Sequence, residues 1–281
     1  MTATAEYATT GPDGTRLSPG LWLTAVVELG VAVAVGAVLL RGNADTAVLH
    51  HPQMPDVHHG PVQPHWTAGF FVSAAVAAAL MLGWTIVRRR ALALGAAGGL
   101  IAVVAAEPVR TLALQSHLIA MVILEVVLVA APLLIVSGVR GRTDQRTRRS
   151  SAWMAGVIAA VLANSAFLIV LHVPAIHGRA AALTAVPGWL IMAAVVTGVG
   201  YWSAILLTTG RAPLALRRAA LTIGQEVAAI LGLAALIVPA THTHQVNPLG
   251  LSAATDQRLG GALMLITCAA VTLPLIKHLA K

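Results

Sequence analysis

The fold class this sequence predicts is all-α: a polytopic integral membrane helical bundle of about eight transmembrane helices, with both termini in the cytoplasm. Three observations predict it. Apolar residues make up 58% of the 281 residues and charged residues only 10%. The apolar residues fall into blocks of roughly 20, enough to cross ~30 Å of hydrocarbon at 1.5 Å per residue. The basic residues, behind a formal charge of +8, lie in the short connections between blocks. That distribution is a topology signal and excludes a nucleic-acid-binding patch.

Eight blocks follow in order: Leu21 to Leu40, Thr67 to Val87, Ala91 to Ala106, Thr111 to Gly138, Ala152 to Val173, Leu183 to Leu207, Ala219 to Val238, and Gly260 to Ile276. The third is short and glycine-rich, so the count falls to seven if it does not cross. Charge decides in favour of eight. The inner segments then hold Arg16, Arg88 to Arg90, Arg140, Arg142, Arg146, Arg148, Arg149, Arg211, Arg217, Arg218, Lys277 and Lys281, and the outer segments only Arg41, Arg110, Arg179 and Arg258. Deleting the third span scrambles this positive-inside bias. The expected localisation is the plasma membrane, with the lipid bilayer as the main surrounding partner and no nucleic acid.

Residues 1–20 are polar and read as a disordered cytoplasmic terminus, and residues 21–281 as the transmembrane helical domain. The first apolar block exceeds a usual signal-peptide core and reads as a retained helix, although Gly42-Asn43-Ala44 behind it has the form of a cleavage site. The single cysteine, Cys268, lies inside the last span, so there is no CxxC motif and a metal would be held by His, Met and carboxylate.

Ten of the eleven histidines fall on the outer side of this topology. The outer loop, residues 41–66, reads HHPQMPDVHHG and then PVQPHW. Its His50, His51, Met54, His58, His59 and His65 lie between prolines that forbid a regular helix. Thioether with imidazole favours copper, because thioether suits Cu(I) and imidazole suits either oxidation state. This loop is expected to capture metal; the plainer reading is a solvated histidine-rich segment.

The fourth span carries His117, Met121 and Glu125 at intervals of four, which places them on one helical face. On the fifth, Asn164 and His172 are eight residues apart, as are His117 and Glu125, so both pairs span roughly 12 Å and can face each other at matching depths. Ionisable groups inside a membrane usually face the protein interior and mark a site. Pro174 ends the fifth helix and returns His177 toward the surface. Beyond the seventh span, His242 and His244 form an H-x-H pair whose rings share a side only in extended backbone. Asp256 and Gln257 precede the last span, where Asp256 is placed to cap that helix.

The fourth-span SHLIAM with the following VLVAAPLLIVSG, the fifth-span HVPAIH, and DQRLGG entering the last helix resemble the three signature regions of the CtaG-type cytochrome c oxidase assembly factors. Order, spacing and membrane side agree, over Gln115 to the C-terminus. His117, His172, Pro174, Asp256, Gln257 and Gly260 match the family pattern. Met121 stands where the second histidine of a pair is usual, and His177 stands near a usual aromatic. The resemblance implies a non-enzymatic accessory protein that places copper in an oxidase, with cytochrome c oxidase or another cuproprotein as partner. The His-to-Met change keeps a Cu(I) ligand and weakens a Cu(II) or zinc site.

The expected metal site is therefore His117, Met121, His172 and His177 with His242 or His244, supported by Glu125, Asn164, Asp256 and Gln257. Haem is the alternative cofactor, as in haem A synthase or a b-type cytochrome, with His65, His117, His172 and His242 as axial candidates. A copper permease is a third class, disfavoured because only Glu28 and Glu226 lie toward the cytoplasmic side.

Overall fold

The computed structural model describes residues 64–139, 151–172, 185–238 and 249–280. Every regular element among them is helical. In chain order these are α1 (Ala68–Val87), α2 (Arg90–Ala105), α3 (Glu107–Gln115), α4 (His117–Val139), α5 (Ser151–His172), α6 (Gly188–Leu206), α7 (Leu214–Ile237) and α8 (Ala253–Ala280). Six of them are long and apolar enough to cross a membrane, and seven spans result if the bent pair α2–α3 is one. This fits a multi-pass membrane protein. The first expected span, Leu21 to Leu40, lies outside the described residues.

The exterior is apolar: Val196, Ile230 and Leu162 are each more than 60% exposed, while small residues such as Ala96, Ala97 and Ala131 fill the contacts inside. Where lipid is as apolar as leucine, helix association depends on close backbone approach, which small residues allow. Gly99 meets Ala77 between α1 and α2, and Gly232 meets Gly261 between α7 and α8.

Helices α4, α8, α7, α5 and α6 pack in that order around a ring, closed by α6 against the middle and far half of α4. The hairpin α1–α2 attaches outside the ring, through α2 against the far half of α4. Charged residues tie the ring at one end. Arg217, buried, donates from Nε to Ile205 O at 2.6 Å, and Arg218 donates to Leu279 O at 3.4 Å. Both guanidiniums thus serve carbonyls in the last turns of α6 and α8, where the helix dipole favours a cation. Arg211 lies over the Trp153 ring at 4.8 Å. The opposite end carries His65, His117 and His172; we call the two the arginine end and the histidine end.

The third and fourth spans differ from the sequence expectation. The fourth begins at His117 rather than Thr111, because Thr111 belongs to the separate helix α3. Ala106 is extended, with ψ 141°, and the chain turns there by 59°. Pro108 fits the break: it has no N–H to give Val104 O and, in the first turn of α3, needs none. The last helix starts at Ala253 rather than Gly260, and the seventh at Leu214 rather than Ala219.

Candidate metal centre at the histidine end and the cavity below it

Ser116 is extended and caps α4, its Oγ accepting from Ile119 N–H at 3.3 Å. Asp256 completes the cap from α8. Its carboxylate accepts from Ser116 Oγ at 2.7 Å, from the His117 N–H, and from Leu118 N–H at 3.3 Å. The first N–H groups of a helix have no partner within it, and their dipole favours an anion. Asp256 therefore caps the neighbouring helix, not its own as the sequence suggested. Ser252 serves α8, accepting Thr255 N–H on its hydroxyl at 3.2 Å and Asp256 N–H on its carbonyl at 2.9 Å.

Gln257, one residue on, donates to Ala235 O at 2.9 Å and Val238 O at 2.8 Å. These are carbonyls of the last turn of α7. Asp256 and Gln257 thus join α8 to a helix start on one side and a helix end on the other. Both are positioning residues on this geometry.

His117 and Met121 share one face of α4 and lie over Gly260 of α8. A Cβ at Gly260 would stand 2.7 Å from His117 Cδ2 and 3.0 Å from Met121 Cγ. The glycine is what lets the imidazole and thioether rest against the α8 backbone. Met121 is 4% exposed. The helices run in parallel here, so the face His117, Met121, Glu125 of α4 follows the face Gly260, Met264, Cys268 of α8.

His172 ends α5, with Nδ1 at 2.8 Å from Leu168 O. A carbonyl can only accept, so Nδ1 carries the proton and Nε2 is the basic nitrogen, the tautomer suited to metal ligation. The structure brings His117 and Met121 together; His172 is tied to its own helix. His65 is exposed ahead of α1. His177, His242, His244, His50, His51, Met54, His58 and His59 lie outside the described residues. Among the described residues no three His, Cys, Asp or Glu side chains gather as a metal-holding group.

The deeper pair faces one space. Glu125 and Asn164 line one cavity inside the five-helix ring, with Tyr201, Gln225, Met264, Thr267 and Cys268. The rest of its wall is apolar, with Leu124, Leu128, Val129, Leu168 and Ala228, and its volume is about 30 Å³, where one water needs roughly 10–15 Å³. Tyr201, Gln225, Met264 and Thr267 were not singled out in the sequence, although a polar side chain inside an apolar span is itself a signal.

A π-helical turn, Val126–Ala130, follows Glu125 directly. Its cause is local. Pro132 has no N–H to give Leu128 O, and its ring would crowd that carbonyl in a regular helix. Ala131 N–H reaches instead to Val126 O, five residues back, and Trp202 Nε1 donates to Leu128 O at 2.7 Å. Gly198 makes room for this contact, since a Cβ there would stand 2.7 Å from Leu128 O. π turns inside helices are frequent at functional sites.

Comparison with protein-family models, with curated proteins and with solved structures gives no match.

Proposed function

We propose that this chain is a membrane copper-binding accessory protein that holds Cu(I) at the extracytoplasmic face of the plasma membrane. Cytochrome c oxidase or another cuproprotein is the recipient. The observation that carries the reading is the placement of His117 and Met121 one turn apart at the head of α4, seated on Gly260 and oriented by the Asp256 cap. Imidazole beside thioether is a donor pair that suits Cu(I) and gives a weaker site for harder ions. His172, its Nδ1 proton directed to Leu168 O, presents the second basic nitrogen on the same end. Such ligation exchanges metal more readily than a closed cysteine cage, as delivery requires. The resemblance of SHLIAM, HVPAIH and DQRLGG to the oxidase assembly factors supplies the recipient.

The test is a Cu(I) competition titration of the purified full chain against a chromophoric chelator. His117→Ala combined with His172→Ala is expected to abolish tight binding. Replacing the histidines between His50 and His59 is expected to slow capture and leave the equilibrium affinity of the inner site unchanged. Unaltered Cu(I) affinity in the double variant refutes the site, and a native Soret band in the visible spectrum replaces it with the haem reading.

A further inference from the structure

The cavity in the middle of the ring has mostly apolar walls and no part in the copper reading, yet each of the five ring helices gives it a polar side chain. Glu125 comes from α4, Asn164 from α5, Tyr201 from α6, Gln225 from α7, and Thr267 with Cys268 from α8. Polar groups are costly at this depth, and an ionisable one among them is a mark of a site or pathway.

The hydrogen-bond inventory gives the sign of the ligand. Thr267 donates its hydroxyl proton to Leu263 O at 3.0 Å. Tyr201 donates to Ala220 O at 3.2 Å and Leu221 O at 3.3 Å. Both hydroxyls therefore spend their single proton on the backbone and keep lone pairs to offer. Glu125 Oε2 is buried and has no hydrogen-bond partner among the described residues. No lining residue is basic. The two amides can each turn an oxygen inward. The walls are otherwise apolar, so one unpartnered carboxylate oxygen with no cationic side chain beside it calls for a positively charged guest.

We propose that this cavity binds a small monovalent metal cation, of the sodium class, held by the Glu125 carboxylate and by oxygens of Asn164, Gln225 and Thr267. Oxygen donors suit a hard cation, and the room available accepts one ion with at most a water. One carboxylate balances one positive charge, so the occupied site is neutral inside the membrane. The π turn that begins after Glu125 adds backbone whose hydrogen bonding departs from the regular ladder at the same level. Met264 and Cys268 also line the space, and their sulfurs make Cu(I) the competing guest.

The experiment uses the detergent-purified full chain, with melting midpoint and direct binding of radioactive sodium as readouts. Matched concentrations of sodium chloride and choline chloride separate the ion from ionic strength. Sodium is expected to bind at one equivalent and to raise the midpoint by about 5 °C at saturation. Glu125→Gln, which keeps the shape, is expected to lose both effects, and Asn164→Ala to weaken binding about tenfold. No sodium binding to the native chain overturns the proposal, even if a variant fails to fold. Equal binding in a folded Glu125→Gln does the same, as does Cu(I) binding dependent on Cys268 and Met264 in place of sodium. The site stands apart from the copper reading: His117→Ala with His172→Ala should leave sodium binding intact, whichever result the copper titration gives.

Discussion

Asp256 on the last helix caps the helix that begins at His117. Its carboxylate holds the His117 N–H together with Ser116 Oγ at 2.7 Å, and the residue is 4% exposed. The histidine proposed as a ligand thereby starts its helix with its backbone fixed by a charge more than a hundred residues away in sequence. Asp256→Ala is expected to leave one buried hydroxyl and two N–H groups without this acceptor. Such losses cost on the order of 2–4 kcal/mol. Thermal unfolding in detergent should show a clearly lower midpoint, with Asp256→Asn between the two because its amide oxygen still accepts.

Gly260 is expected to be intolerant of any side chain. A Cβ 2.7 Å from the His117 ring and 3.0 Å from Met121 must push α4 away from α8, at roughly 1–3 kcal/mol for overpacking. Gly156 provides the control, since a Cβ there meets nothing within 4 Å. Gly260→Ala should lower the melting midpoint and the Cu(I) affinity together, whereas Gly156→Ala should change neither downward.

Trp202 and Pro132 are coupled through one carbonyl. Trp202→Phe removes the donor to Leu128 O and is expected to cost about 1–3 kcal/mol, the price of a buried acceptor left unmade. Pro132→Ala restores an N–H at the position that normally serves that carbonyl. A double-mutant cycle of unfolding free energies should therefore show a smaller Trp202→Phe cost in the Pro132→Ala background. Strict additivity would mean that the indole does not substitute for the missing amide.

The spans were legible because apolar length is a strong signal and needs no partner. Their ends were less so. Hydrophobicity varies smoothly across Thr111 and puts it in the fourth span, whereas the break depends on Ala106 leaving helical backbone ahead of Pro108. The common depth of Glu125 and Asn164 followed from helix rise alone. What could not be read was which helices are neighbours: the cap from Asp256 to His117, the Gln257 bonds to α7, and the Trp202 bond to the π turn are all long-range. Tyr201 and Gln225 carried the signal of polar groups in apolar spans, but only packing brings them to one cavity.

Orientation is tested by cysteine accessibility in a Cys268→Ala background. Thr209→Cys, exposed at the arginine end, should react with a membrane-impermeant maleimide only from the cytoplasmic side. Leu249→Cys, at the histidine end and 48% exposed in leucine form, should react only from outside. The reverse pattern would put the histidines in the cytoplasm and remove the route to an extracytoplasmic recipient.

X-ray absorption of the Cu(I)-loaded full chain bears most directly on a copper site built around His117 and Met121. The expected spectrum is that of Cu(I) with nitrogen and sulfur neighbours, and Met121→Leu should remove the sulfur shell while the nitrogen shell remains. An unchanged sulfur shell in Met121→Leu, or a native protein that retains no Cu(I), would contradict the assignment.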